Sequence, residues 1–522
     1  MTKLPSISPP MRSISQVLAL FDIFIDEFDT DNIVMDSRAA NDKSIFIAQK
    51  GGSDDGRKYI NSAIENGAKL ILVSTSKSEL HGEVDVVSDA LIIQFFELSK
   101  HLGFICSAFY QHASKRLQTI AVTGTNGKTS VTHICAQLSA LCEEPAGTIG
   151  TMGVAFYQSN RDISKISDTI NTTPDLASIH RLSSLVKQHG GQRLCIEASS
   201  HGLHQKRLSG FNTQTAIFTN LTQDHLDYHH SFEEYARAKR LLLQQEGLRS
   251  VVLNADDNES VNWVAALPSH MSVCLCSIKA KDKSELFESY SNNNQHFKYC
   301  IAKSPRFTPS GSGFELESSW GIASISLPMI GMFNISNLLS ALSALLMQGM
   351  DFDSLIAAIP LLQGVPGRME VFESRKHGNI IVDYAHTPDA LEQALLASRP
   401  HVLGKLTVVF GCGGDRDATK RSIMGRIAEK WADNIVLTQD NSRSESPENI
   451  IADITQGMQG KSNLSIELER KDAIKKAYLN TQNDDLILVA GKGHEEYLEL
   501  NNVREYYNER EYVKQLTLEL LG

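Results

Sequence analysis

Short apolar runs bounded by polar, glycine-rich turns recur along this chain, with amphipathic stretches between them, and predict alternating strands and helices. In residues 1–110, Ser44-Ile45-Phe46-Ile47-Ala48 and Lys69-Leu70-Ile71-Leu72-Val73 read as strands flanking an amphipathic stretch through Ala63 and Ile64. This predicts a small α/β unit. In residues 111–362, strand-like runs at Ile120-Ala121-Val122, Leu194-Cys195-Ile196, Ala216-Ile217-Phe218 and Val251-Val252-Leu253 alternate with helical spacing, the pattern of a largely parallel sheet. Within that block residues 278–325 are polar and weakly patterned, with Asn292-Asn293-Asn294 and Ser310-Gly311-Ser312-Gly313, and predict exposed hairpins or loops. Residues 363–522 open near Gly364-Val365-Pro366-Gly367-Arg368 and carry buried-strand runs at 406–410, 435–437 and 486–489, which predict a second doubly wound domain. The expected fold class is α/β, with three domains in a row.

Composition narrows the class. At 522 residues the chain exceeds one ordinary core. Its 42% hydrophobic and 21% charged content is that of a soluble globular protein. A net charge of −11 argues against a polyanion-binding surface, so no nucleic acid partner is expected. No apolar run is long enough to span a bilayer, which predicts no stable membrane insertion. Met1 to Phe24, interrupted by Pro5, Pro9, Pro10 and Asp22, does not read as a signal peptide. The eight cysteines are scattered, and Cys274-Leu275-Cys276 is not a metal-ligand spacing; buried thiols in a reducing cytoplasm are the simplest expectation.

The candidate chemistry starts at Thr123-Gly124-Thr125-Asn126-Gly127-Lys128-Thr129-Ser130, placed between a strand and a helix. A glycine-rich turn opening a helix points backbone N–H groups at phosphate oxygens. Lys128 would bring positive charge to the terminal phosphates of ATP, and the Thr129 hydroxyl could bind the accompanying Mg²⁺. The usual pattern has a further glycine where this chain has Val122, so the loop is a shortened variant.

Glu197 closes the 194–196 strand, and a carboxylate at the carboxyl end of a parallel strand can hold Mg²⁺ on ATP; taken alone, a solvated loop glutamate is the competing reading. The run Thr219 to His229 is dense in polar groups after a strand, and His225 and His229 are candidates for Mg²⁺ or phosphate contact against a structural role. Lys239, on the predicted helix 232–243, is indistinguishable by composition from a surface lysine. In the last block Gly411 to Asp417, Asp440 to Arg443 and Gly491 to Glu495 each follow a strand and should gather on one sheet edge. Their guanidinium and carboxylate groups suit a zwitterionic ligand, although capping and surface ion pairs would suffice for any one loop.

In this set and order the chain resembles the Mur ligase family, and within it the MurE type. The likeness is carried by Gly124 to Thr129, Asn171-Thr172-Thr173-Pro174, Glu197 to Leu203, Thr219 to His229, Asn334 to Asn337, Pro366 to Glu370, Asp383-Tyr384-Ala385-His386 and the three late loops. The resemblance implies a small N-terminal UDP-substrate-binding domain, a central ATP-binding domain and a C-terminal Rossmann-like amino-acid-binding domain. It implies that Gly124, Thr125, Asn126, Gly127, Lys128, Thr129 and Ser130 bind ATP with Asn337, Arg368, Asp383 and His386. Ser37, Asn171, Thr172, Thr173, Ser199, Gln205 and Arg207 would contact the UDP-muramyl dipeptide. Lys128, Glu197, His225 and Lys239 would be catalytic. Thr129, Glu197, His225 and a carbamylated Lys239 would serve Mg²⁺.

The activity implied is ATP-dependent addition of a diamino acid to UDP-N-acetylmuramoyl-L-Ala-D-Glu through an acyl phosphate, a cytoplasmic step of peptidoglycan synthesis that supports cell shape and division, by a monomer. Asp-Asn-Pro-Arg marks family members that take meso-diaminopimelate, and the match here is Asp440-Asn441-Ser442-Arg443, with Arg416, Gly491 and Glu495. L-Lysine lacks the distal carboxylate that Arg443 would pair, and serine for proline gives up a fixed φ worth about 0.4–1 kcal/mol. The alternatives are a MurE-type ligase for L-lysine or another diamino acid, a folylpolyglutamate-synthase-like ligase, and a non-catalytic nucleotide-binding paralogue. The Gly51-Gly52-Ser53-Asp54 loop departs from common forms, and no uridine contacts are assigned to it.

Overall fold

The computed structural model describes residues 2–3, 12–51, 54–290, 297–460 and 463–518. Asn292-Asn293-Asn294 and the pair Gly52-Ser53 lie outside them. The chain divides into two compact units, one of residues 1–301, 318–320 and 337–355, the other of residues 302–317, 321–336 and 356–522.

The first unit holds two main sheets and a short ribbon of Arg12–Ser13 with Asp29–Thr30. In the smaller, Asn32–Val34, Ser44–Ala48, Leu70–Thr75 and Ala90–Phe96 run parallel, and Val84–Val87 closes the edge antiparallel. In the larger, Ala146–Gly150, Arg193–Glu197, Gln118–Thr123, Thr215–Phe218, Ser250–Asn254, Ser272–Ser277 and the start of Phe297–Thr308 lie side by side in that order, all parallel. The register sets Glu197 beside Val122, and Phe218 beside Thr123, so the loops leaving these strands emerge together. Helix ends are fixed locally. Asp175 accepts the Ser178 N–H at the head of Leu176–Gln188, and Ser231 accepts the Glu234 N–H at the head of Phe232–Arg240.

The second unit has one main sheet, ordered Glu370–Phe372, Asn379–Asp383, Leu486–Ala490, Leu406–Phe410, Asn434–Leu437, Leu464–Ile466, parallel except for its first strand. Its apolar runs are continuous because both faces are covered. Ile381, Val408, Phe410 and Leu488 pack on one side with Leu391, Leu395, Met424 and Ile454. Ile380, Val382, Val409 and Val489 pack on the other with Ile474, Tyr478 and Val513. Each such side chain contributes about 1.5–3 kcal/mol by leaving water.

The weakly patterned 278–325 stretch is more regular than expected. It contains the helix Lys283–Glu288 and the strands Phe297–Thr308, Gly311–Ser318 and Ile322–Leu327. Phe314, Leu316, Ile325 and Leu327 alternate inward, but serine and glycine between them dilute the period-two signal. The strand Gly311–Ser318 falls largely within the second unit.

Candidate functional site

The phosphate loop of the first unit is gripped by its neighbours. The N–H of Thr125 donates to the carbonyl of Asn220 at 2.9 Å, the N–H of Asn126 to Asn220 Oδ1 at 2.9 Å, and Thr219 Oγ1 to the Asn126 carbonyl at 2.6 Å. Gly124 has φ +149°, and a Cβ there would lie 1.9 Å from Thr219 Oγ1; Gly127 has φ +85°, and a Cβ would lie 2.5 Å from Asn337 Oδ1. Both positions therefore require glycine. The helix Lys128–Leu141 starts at Gly127, with Ser130 half-buried in its first turn. Lys128 Nζ folds back to donate to the carbonyls of Gly124 and Thr125, both at 2.9 Å.

Glu197 is not a solvated loop residue: it ends its strand at 1% exposure. Thr129 Oγ1 donates to it at 3.0 Å, the Thr151 N–H at 2.9 Å and Thr151 Oγ1 at 3.2 Å. Burial pushes the carboxyl above its ordinary range despite Lys128 and these donors. Thr151, which follows the strand Ala146–Gly150, escaped the sequence reading because threonine after glycine carries no signal of its own.

Lys239 is almost fully buried on Phe232–Arg240. Its Nζ donates to the Gly124 carbonyl at 2.8 Å and sits 4.4 Å from the centre of the Tyr235 ring. Burial first, and Lys128 second, hold its pKa well below that of an ordinary lysine, which favours the neutral amine. Tyr235 pairs in turn with Thr125 Oγ1 at 3.0 Å. Beside it the rings of His201, His225 and His229 cluster, with centroids 4.9 Å apart for His201–His225 and 5.4 Å for His201–His229. His225 is exposed and has φ +52°, whereas His229 is buried, its pKa lowered to about 4 by burial and then by the neighbouring histidines and Lys239. Among the described residues no three of His, Cys, Asp and Glu are set to hold a metal ion by themselves.

Five of the residues matched to the muramyl peptide form one network. Thr173 Oγ1 donates to the Glu197 carbonyl at 2.7 Å and to Ser199 Oγ at 2.9 Å, and Ser199 caps the helix Ser200–His204. Arg207 donates to the Thr173 carbonyl and, at 2.7 Å, to Gln205 Oε1. Thr172 Oγ1 pairs with Thr151 Oγ1 at 3.0 Å, which links the network to Glu197. Asn171 is exposed, and Ser37 opens the 3-10 turn Ser37–Ala39 between two strands of the smaller sheet, where its carbonyl accepts from Asn66.

In the second unit all the late loops leave the carboxyl ends of adjacent strands. Asp383 accepts the N–H of Met369 at 2.7 Å and of Ala385 at 2.9 Å, and burial raises its pKa. The Arg368 guanidinium stacks 4.7 Å over Tyr384, and exposed His386 pairs with the Tyr384 carbonyl. Lys492, fully buried and not singled out from sequence, is the hub of the neighbouring loops. It donates to Asn441 Oδ1 at 2.9 Å and Glu495 Oε2 at 2.6 Å, lies 3.9 Å from Asp440, and stacks on Tyr497 at 4.8 Å. A lysine inside a glycine run was the available hint. Asn441 Nδ2 also donates to Glu495 Oε2, at 3.1 Å. Gly491 has φ +119°, and a Cβ would meet Asp440 Oδ2 at 2.5 Å. Ser442 is buried, Arg443 Nη1 donates to the Gly414 carbonyl at 2.7 Å, and Arg416 is exposed.

A phosphate loop whose threonine meets a buried carboxylate, together with a second parallel-sheet unit lined by charged loops, defines a nucleotide-dependent ligase. Family models match in chain order: Mur ligase family, catalytic domain, over residues 29–110; Mur ligase middle domain over 122–345; and Mur ligase, glutamate ligase domain, over 367–493. A UDP-N-acetylmuramoyl-L-alanyl-D-glutamate--2,6-diaminopimelate ligase of Haemophilus influenzae is 37% identical over 500 residues, covering 95% of this chain and 99% of its own. A solved structure of a ligase of that name superimposes with TM-score 0.70 at 30% identity, covering 98% of this chain and 100% of that one. MurF from Acinetobacter baumannii, at 17% identity and TM-score 0.64 over 93% of this chain and 96% of its own, shares the fold. The chain belongs to the Mur ligase family.

Proposed function

We infer that this protein adds meso-2,6-diaminopimelate to the D-Glu γ-carboxylate of UDP-N-acetylmuramoyl-L-Ala-D-Glu, with ATP converted to ADP and phosphate. The observation that carries the reading is 37% identity across 95% of the chain to ligases of that name. A carboxylate is a poor acyl donor, so ATP first phosphorylates it, and the neutral amine then attacks the acyl phosphate. The loop from Gly124 to Ser130 binds and orients the phosphates, with Asn220 holding the amides of Thr125 and Asn126 to shape it, and Lys128 leaves its loop carbonyls to neutralise charge on the transferred group. Asn337, Arg368, Asp383 and His386 would serve the nucleotide, and Ser37, Asn171, Thr172, Thr173, Ser199, Gln205 and Arg207 the muramyl peptide.

The donors present suit Mg²⁺: one buried carboxylate and a hydroxyl, hard oxygen ligands that phosphate oxygens and water would supplement. Thr129 and Glu197 would hold one ion, and His225 with carbamylated Lys239 a second. The ions would neutralise the charge that builds up during phosphoryl transfer. Lys239 suits carbamylation because its buried amine favours the neutral, nucleophilic form. At the amine site Arg443 would fork onto the distal carboxylate and Glu495 with Asp440 would take the distal ammonium, supported by Asn441, Ser442, Gly491 and Arg416. The enzyme would act as a cytoplasmic monomer; no described helix is long and apolar enough to cross a membrane.

The test is phosphate release from ATP with UDP-N-acetylmuramoyl-L-Ala-D-Glu, comparing meso-diaminopimelate with L-lysine. Turnover that requires meso-diaminopimelate is expected. Preference for L-lysine would overturn the amine assignment, and no turnover with either would overturn the ligase reading.

A further inference from the structure

Arg443 stands in left-handed backbone, φ +52°, a conformation a non-glycine residue keeps only where its surroundings impose it. Here the imposing element is the hairpin of Tyr497–Leu500 and Val503–Tyr506, whose turn residues Asn501 and Asn502 both have positive φ. The Arg443 N–H donates to the Glu499 carbonyl at 3.0 Å, and the Asn502 N–H donates to the Arg443 carbonyl at 3.2 Å, so the hairpin closes on both sides of one residue. The Glu499 N–H donates to Asn441 Oδ1 at 2.9 Å, which ties the same strand to the Lys492 hub. The side chain continues the grip. Glu499 Oε2 lies 3.7 Å from Arg443 Nε, and the Gly414 carbonyl takes Nη1. The guanidinium is thus hydrogen-bonded through Nη1 and faces the Glu499 carboxylate on its Nε side, while Nη2 makes no hydrogen bond among the described residues.

We propose that Glu499 is a positioning residue for amine selection, fixing the plane of the Arg443 guanidinium so that its Nη2 edge meets the distal carboxylate of the incoming diamino acid. This rests on the proposed function and deepens it. The proline expected at position 442 would stiffen the loop from within; this chain has serine there, and the hairpin supplies the restraint from outside. Glu499 also contacts Arg504, Oε2 to Nε 3.4 Å, so its charge is shared between an exposed cation and the half-buried Arg443.

The experiment is steady-state kinetics of Glu499→Gln, which keeps the shape and both backbone bonds and removes only the charge. KM for meso-diaminopimelate is expected to rise roughly threefold to fivefold, the scale of a partly exposed ion pair. kcat and the KM values for ATP and the UDP-muramyl dipeptide are expected to stay within about twofold, as for a group acting on one binding step. Mixed-amine competition gives the ratio of kcat/KM for meso-diaminopimelate to that for L-lysine, which does not depend on the folded fraction. That ratio should fall by the same factor, because L-lysine offers Arg443 nothing to pair. An unchanged or lower KM for meso-diaminopimelate, an unchanged ratio, or an equal rise for all three substrates would overturn the proposal. A wild-type enzyme that takes L-lysine and refuses meso-diaminopimelate would instead overturn the reading on which it rests.

Discussion

Glu197→Gln separates the charge of this residue from its place in the fold. The carboxylate is buried and its pKa is raised, so holding it ionised costs folding free energy at pH values above its ordinary range and nothing below. Both stronger hydrogen bonds, from Thr129 Oγ1 and the Thr151 N–H, end on Oε1, which an amide oxygen can replace. Only the 3.2 Å bond from Thr151 Oγ1 to Oε2 must reverse, and a hydroxyl can accept as well as donate. The structural loss is therefore under about 1 kcal/mol. Against it stands the relief of a buried charge, about 1.4 kcal/mol for each unit by which burial raises the pKa. The variant should melt at or above the wild-type temperature at neutral pH, and the two curves should converge toward about pH 4, where both side chains are neutral. Turnover should fall about 10²- to 10³-fold, the scale of a lost electrostatic partner to the reacting phosphoryl group. Thermal melting across that pH range, paired with phosphate release, reads both. A variant that melts well below wild type at neutral pH would make the carboxylate a structural keystone. One that retains turnover within about tenfold would remove it from the chemistry.

Lys239→Ala is expected to lose most activity, with no rescue by bicarbonate. In CO₂-free buffer Lys239→Met should melt above wild type near neutral pH, because the buried amine has a lowered pKa and burying it costs folding free energy wherever the unfolded amine is charged. That gap should close as pH rises through about 10.4, where the unfolded amine is neutral too. Gly124→Ala would drive a methyl group into Thr219 Oγ1, and titration calorimetry should find ATP binding lost together with a lower melting temperature. Lys492→Met would leave Asp440 and Glu495 without their shared cation. Denaturant unfolding should report a loss of about 3–5 kcal/mol, far more than an exposed lysine contributes.

What could be read ahead of the structure follows the range of each signal. Strands such as Leu406–Phe410 announce themselves because both sheet faces are buried and every position is apolar. The phosphate loop announces itself because glycine spacing and the following helix are local. The parallel strands of the main sheets and the late loops on one sheet edge follow from such signals. Lys239 could not be read in this way. Its helix holds Glu233, Glu234, Arg237 and Arg240, so its pattern is that of a solvated face. The lysine is buried only because the sheet brings the carbonyl of Gly124, 115 residues earlier, to its amine. Lys492 is similar, hidden among glycines; Arg443 was legible as a candidate, but not the left-handed backbone in which a hairpin that begins dozens of residues later holds it. The fold is written in periodicities a few residues long, whereas the electrostatics of the site come from pairs that only the fold brings together. A family resemblance supplied Lys239 because it carries that long-range information.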